Sequence, residues 1–190
     1  FSGEIFIDGE KFDLSSPSDA IRAKIGFVTE DRKRFGLILD QSVMDNLTLV
    51  ALKKISGRHI RHVAREASTV KKPIESLRIK ASTPLVAAGN LSGGNQQKVV
   101  LGKWLLSEPK VLFLDEPTRG IDVGAKQEIY AEIDRLASEG MAIVMVSSEL
   151  PEVLGLSDRI LVLCEGRPAA TFTREQATAE TVMAAATGSN

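Results

Sequence analysis

Leu91-Ser-Gly-Gly-Asn-Gln-Gln-Lys98 and, shortly after it, Val111-Leu-Phe-Leu-Asp-Glu-Pro-Thr118 decide the fold. The first is a flexible turn at Ser92, Gly93 and Gly94 running straight into a helix pattern. A Gly-rich helix entry presents unpaired N–H groups and the positive end of the helix dipole, which suits an anionic phosphate. The second is an apolar run ending in two adjacent carboxylates, Asp115 and Glu116. As a buried parallel strand it would place both at the carboxyl edge of an α/β sheet, where ligands bind. One acid can hold Mg²⁺ and the other can orient or deprotonate a water.

Working outward, Glu4–Ile7 and Lys11–Leu14 read as strands joined by Asp8-Gly9, a hairpin signal. Ser16-Pro17-Ser18-Asp19 opens a short helix to Lys24, and Ile25–Thr29 is a strand ending in the polar run Glu30-Asp31-Arg32-Lys33-Arg34, either a solvated loop or a functional one at a strand end, with the solvated reading favoured by the run itself. From Gln41 the pattern turns helical: Ser42 caps Val43–Leu52, and a basic helix or helix pair spans His59–Ser76 with a break or kink near Pro73. His59 and His62 share a helix face, but with no carboxylate or Cys at ligand spacing they read as surface residues. The helix after Ser92 stops before Pro109, with Trp104 inward. Next come a helix over 124–139 closed by Gly140, a strand Met141–Ser147 and a helix Glu149–Leu156. A strand Arg159–Cys164, a turn at Glu165-Gly166, a strand Ala169–Thr173 and a helix Arg174–Ala186 complete the chain. Strands alternating with helices imply a parallel sheet.

With 190 residues, 43% hydrophobic and 26% charged, the chain can bury a real core and is not of the disordered class. No apolar run reaches the roughly 20 residues that span a bilayer. One cysteine, Cys164, leaves no internal disulfide, so it reads as a small buried hydrophobe in a reducing compartment. The net charge of −1 is uneven: nine Lys/Arg against two Glu between Lys53 and Lys80 give a local +7. That stretch is either a solvated helix face or a contact for an anionic partner.

These residues resemble an ABC-type ATPase over essentially the whole chain. Leu91, Ser92, Gly93, Gly94, Asn95 and Gln96 resemble the signature motif, Val111–Glu116 the Walker B strand, and Gly120, Ile121 and Asp122 the D-loop. Asp122 reads equally as a helix N-cap. The Asn-Gln-Gln-Lys ending, with Asp115-Glu-Pro-Thr-Arg-Gly-Ile-Asp-Val-Gly-Ala-Lys126, is closest to the carbohydrate-uptake branch in its second, C-terminal nucleotide-binding half, and Glu30-Asp31-Arg32-Lys33 before a Gly-Leu pair supports that placement. The resemblance implies a P-loop NTPase-like (RecA-like), mostly parallel α/β sheet with helices on both faces and an N-terminal antiparallel hairpin. One nucleotide-binding domain would span 1–190, with a helical subdomain inserted over about 41–106. It implies ATP and Mg²⁺ as cofactors, Glu116 as the catalytic residue, Asp115 as the Mg²⁺ ligand, and a signature turn that grips ATP seated on the partner half. It implies import of a monosaccharide such as ribose, xylose or galactose. The partners would be the N-terminal half of the same polypeptide, membrane permease subunits and, indirectly, a solute-binding protein, on the inner face of the cytoplasmic membrane. No nucleic acid is expected.

Three departures stand out. No Gly-x-x-x-x-Gly-Lys-Ser/Thr occurs, so a chain cut before its phosphate loop is expected, inactive by itself. Glu30 stands at the Q-loop position and Ser148 at the switch-His position. The competing reading is a non-transport ATPase of the same fold, acting on nucleic acid or in translation through the basic 53–80 stretch. A third, overlapping the first, is a regulatory half that only completes its neighbour's site.

Overall fold

The computed structural model describes residues 3–56 and 60–188. It divides into two compact units, Phe1–Val144 and Met145–Asn190.

The first unit opens with the hairpin β1 (Ile5–Ile7) and β2 (Glu10–Phe12), Ile5 opposite Phe12. Asp8 and Gly9 both take positive φ, 53° and 80°, as a two-residue turn matched to strand twist requires. The helix α1 (Pro17–Arg22) starts from Ser16, whose hydroxyl accepts from the Asp19 N–H, with Pro17 in its first turn. β3 (Ile25–Val28) follows. The polar run after it is not the open loop the sequence predicts but a one-turn π-helix, Arg32–Gly36. The Asp31 carboxylate accepts from the N–H groups of Lys33 and Arg34, both at 3.1 Å, and the Leu37 N–H closes on the Arg32 carbonyl at 2.8 Å. A side chain that caps its own turn supplies locally what a loop would take from water.

The expected Val43–Leu52 helix stops early, at Thr48, as α2 (Val43–Thr48), and a separate α3 (Leu52–Ser56) begins where it was expected to end. Ser42 and Asp45 form a capping box at the start of α2. α4 (Val63–Ser76) begins four residues later than the first basic-helix residue predicted, and accommodates Pro73 inside it. His62 is exposed at its entry, and His59 lies outside the described residues. Glu66 on α4 is fully buried, and Arg61 meets both its carboxylate oxygens from Nε at 2.9 Å. α5 (Gly93–Leu105) packs on α2 and α4, and Val43, Leu47, Val70, Leu77 and Val99 fill the space between.

β4 (Val111–Asp115) lies parallel to β3 in register Ile25–Val111 to Val28–Leu114, and β5 (Ala142–Val146) is its other neighbour. The sequence predicts a strand buried on both faces. Instead burial alternates: Leu112 and Leu114 are closed off under α5 and α6 (Val123–Ser138). The paired rings Phe27 and Phe113 on the other face are 45% and 37% exposed. Four consecutive apolar residues cannot report which face a helix will cover. Trp104 is half-buried rather than core.

Lys103 of α5 is 6% exposed and donates to the Gly36 carbonyl at 2.5 Å, with the Trp104 ring 5.6 Å from its ammonium. Burial holds its pKa below the ordinary lysine value. A lysine whose folded pKa is depressed destabilises the fold while it is forced to stay charged. The penalty is relieved as pH rises through the folded value towards the unfolded one near 10.5. The urea midpoint of the native chain should therefore rise relative to that of Lys103→Met from pH 7 to pH 10. A constant difference across that range refutes it.

In the second unit α7 (Leu150–Leu156) precedes β6 (Arg159–Cys164) and β7 (Arg167–Thr173). These two pair antiparallel with an irregularity at Val162/Leu163, turning through Glu165 and Gly166 at φ 49° and 75°. β6 therefore pairs with its sequence neighbour and, among the described strands, joins no parallel sheet. α8 (Ala179–Thr187) is capped by Thr178, five residues beyond the predicted start. It closes a small core of Ile160, Val162 and Val182 against Leu150, Val153, Leu154 and Phe172. Cys164 is half-buried rather than buried.

Candidate functional site

Because β3 and β4 are parallel, the segments after them leave the sheet at one edge. Glu30 and Arg32 therefore emerge beside Asp115, Glu116 and the 117–122 turn. Glu116 sits at φ 48°, in the left-handed region that only a constrained non-glycine residue occupies. Its carbonyl accepts from the Arg119 N–H at 3.1 Å, closing a tight turn, and Thr118 inside that turn is buried. Gly120 follows at φ 66°. Asp122 caps α6, its Oδ1 accepting from the Ala125 N–H at 2.9 Å. The N-cap reading is thus realised, and it leaves the position open to a second role.

Two side chains draw this edge together. Glu30 forms an ion pair with Arg119, both exposed. Arg32 donates from one terminal nitrogen to the Arg119 carbonyl at 2.8 Å and from the other to the Gly120 carbonyl at 3.1 Å. Burial pulls the Arg32 guanidinium below its ordinary pKa, against the favourable charge of Asp31.

The signature turn meets the same edge. Ser92 caps α5: its hydroxyl accepts from the Asn95 amide side chain at 2.9 Å and the Asn95 N–H at 3.5 Å. Asn95 in turn accepts from the Lys80 N–H at 2.7 Å, which ties the turn to the segment after α4. A β-carbon on Gly93 would lie 2.8 Å from the Arg32 Nη2 and 3.2 Å from the Gly120 carbonyl oxygen. One on Gly94 would lie 2.4 Å from the Ala125 β-carbon, so Gly94 is where α5 and α6 touch. Gln96 is turned inward, its amide donating to the Ala88 carbonyl at 3.3 Å while its Oε1 is buried with no acceptor role filled among the described residues. Lys98 is buried and donates to the Arg78 carbonyl at 3.2 Å and to Glu128. Leu91 and Ile121 are half-buried flanking residues.

Ser148 lies in the second unit, exposed, just after β5. Beside it the Ser147 hydroxyl bonds to Glu152 and accepts from the Glu149 N–H at 3.0 Å. No group of three or more His, Cys, Asp or Glu side chains is placed to hold a metal among the described residues. Two adjacent carboxylates are nonetheless a fitting donor set for Mg²⁺, which takes one or two and fills its remaining positions with water and phosphate oxygens. Sequence reasoning missed Arg32, Arg119 and Ala125. The available signal was positional, since a charged cluster directly after a strand parallel to β4 must emerge beside the end of β4.

Residues 1–119 match the ABC transporter family profile. The chain is 52% identical over 186 residues to a xylose import ATP-binding protein of Geobacillus kaustophilus, covering 98% of this chain and 37% of that one. It is 51% identical over 188 residues to a ribose import ATP-binding protein of the same organism, covering 99% and 38%. The chain thus spans little more than a third of the length of these relatives. Among solved structures, CbiO1 of Clostridium perfringens, part of an ABC transporter complex, superposes with a TM-score of 0.74 at 25% identity over 96% of this chain and 70% of that one. A dimeric ATP-binding cassette bound to ADP and Pi shares the fold with a TM-score of 0.75 at 24% identity, over 91% and 74%. The chain belongs to the ABC transporter ATP-binding family.

Proposed function

We propose that this chain is the C-terminal nucleotide-binding half of the ATPase of a monosaccharide importer. What supports the reading most is the signature turn. Ser92 is exposed at the start of a 13-residue helix, and Gly93 adds no side chain of its own at that entry. Relatives at about half identity, named for xylose and ribose import, supply the substrate class. The Ser92 hydroxyl and the first-turn N–H groups of α5 would receive the γ-phosphate of ATP seated on the N-terminal half of the same polypeptide. At the chain's own sheet edge Asp115 would hold Mg²⁺, which supplies charge neutralisation at the phosphates. Glu116 would orient the attacking water or take its proton. Asp122 and the Gly120-Ile121 turn would sit at the closing surface. Glu30 is engaged by Arg119 and Ser148 brings no imidazole, so turnover would rest mainly on the composite site to which this chain contributes its signature turn. The permease and the solute-binding protein would complete the importer, with this half peripheral on the cytoplasmic face. No helix among the described residues is long and apolar enough to cross a membrane.

The nucleic acid alternative draws no support from the basic stretch. Arg61 is committed to Glu66 and Asp45, and Lys54 to Glu108 at 2.7 Å. No Phe, Tyr or Trp lies between Gln41 and Asn90 for base stacking.

Titration of the 190-residue chain with Mg-ATP by calorimetry is expected to give weak binding, with a Kd of about 1 mM or higher. The chain contains no Gly-x-x-x-x-Gly-Lys to supply the phosphate cradle. Stoichiometric micromolar binding would sink the composite-site reading. So would ATP-independent sugar uptake by vesicles carrying the full importer.

A further inference from the structure

A guanidinium that reaches two consecutive backbone carbonyls 87 and 88 residues away in sequence is an unusual commitment. Its planar fork matches two oxygens at fixed spacing, which an ammonium cannot do. The base of the side chain is itself immobilised. Asp31 caps the π-turn in front of it, the Leu37 N–H binds the Arg32 carbonyl, and buried Lys103 anchors the far end of the turn through the Gly36 carbonyl. Its Nε is buried and finds no acceptor among the described residues. That donor is desolvated without return, so local stability alone does not account for the placement. The end of the same guanidinium lies 2.8 Å from where a β-carbon of residue 93 would stand.

We infer that Arg32 is a positioning residue for ATP turnover. By spanning the Arg119 and Gly120 carbonyls and resting over Gly93, it locks the turn that carries Asp122 against the signature turn, so that both present one surface to the partner half. The Glu30–Arg119 ion pair is a second, weaker strap, since exposed pairs contribute little. This inference rests on the ATP-hydrolysing reading above.

The test uses the full importer with its permease. Arg32→Ala should lower kcat for ATP by about 10- to 100-fold, the loss typical of an active group displaced by an ångström. KM for ATP should stay within about threefold, because the residue touches no nucleotide. Arg32→Lys should fall in between, and it carries the test if the alanine variant assembles poorly. A role in folding alone would shift melting and leave kcat per assembled transporter unchanged. The closest probe is coupling. Gly93→Ala should impair turnover next to Arg32, whose Nη2 it meets, and add little in an Arg32→Ala background. Additive effects, or an unchanged kcat in Arg32→Ala, overturn the positioning role. Gly93→Asp serves as the control for the underlying reading. If it too leaves turnover intact, hydrolysis through this turn is the claim that fails; if it abolishes turnover while Arg32→Ala does not, only the present inference fails.

Discussion

Gly93→Asp in the full importer is expected to reduce ATP turnover and sugar uptake by about 100-fold or more, the scale seen when a preorganised charge-stabilising group is lost. The substitution puts a carboxylate where a γ-phosphate must approach the first turn of α5, a like-charge clash at a site built from helix-terminal N–H groups. Nucleotide binding to the phosphate loop of the other half should survive, because the signature turn enters only on closure. Considered from sequence, the change should be mild for the isolated chain, since acids suit a helix's first turn and a backbone penalty arises only at positive φ. Gly93 is not at positive φ. The structure adds a different cost: the new β-carbon lies 3.2 Å from the Gly120 carbonyl and 2.8 Å from the Arg32 guanidinium, which the carboxylate would draw off its carbonyls. A stability loss of roughly 1 kcal/mol follows, modest because a flexible side-chain end can give way. Melting of the 190-residue chain, paired with turnover in the assembly, checks both halves of the statement. Normal turnover with a folded chain would reduce Leu91–Lys98 to an ordinary helix entry.

Gly94 should behave in the opposite way, failing through the fold rather than through chemistry. It is buried, and its β-carbon position is 2.4 Å from that of Ala125, closer than side chains on two packed helices can come. Gly94→Val must push α5 off α6 near Asp122 and open the packing of Leu101, Ile129 and Ile133 beneath. We expect a loss of roughly 2–3 kcal/mol, the upper range for overpacking a tight contact. Adding Ala125→Gly should recover a substantial part. Urea unfolding of the two single variants and the double variant reads the effect directly, and the absence of any rescue would show that the α5–α6 contact is not its cause.

The two glycines of one short motif thus answer to different neighbours, and that division was invisible in the sequence. What was legible had local causes. Asp8-Gly9 announced its hairpin, Ser16, Ser42, Ser92 and Asp122 announced helix entries, and the apolar run before Asp115 announced a strand. The family resemblance followed from residues that keep their chemistry wherever the chain is met. What was not legible depended on distant pairing. Arg32 looked like one solvated charge among five, because nothing at residues 30–34 reports that the carbonyls of 119 and 120 lie within reach. The break between α2 and α3 and the late starts of α4 and α8 were lost for a related reason, since a helix pattern shows a favoured face but not where packing ceases to reward it. Gln96, read as a nucleotide contact by resemblance, is folded inward onto the 88–89 carbonyls.

Phe27 and Phe113 stand side by side on the open face of the central sheet, each more than a third exposed. Two aromatic rings aligned across neighbouring strands form a sticky strip that water wets poorly and that a second molecule can cover as readily as any natural neighbour. Such a strip favours association between copies, which places a ceiling on usable concentration. Salts that strengthen the exclusion of apolar surface would lower that ceiling even as they raise the melting temperature.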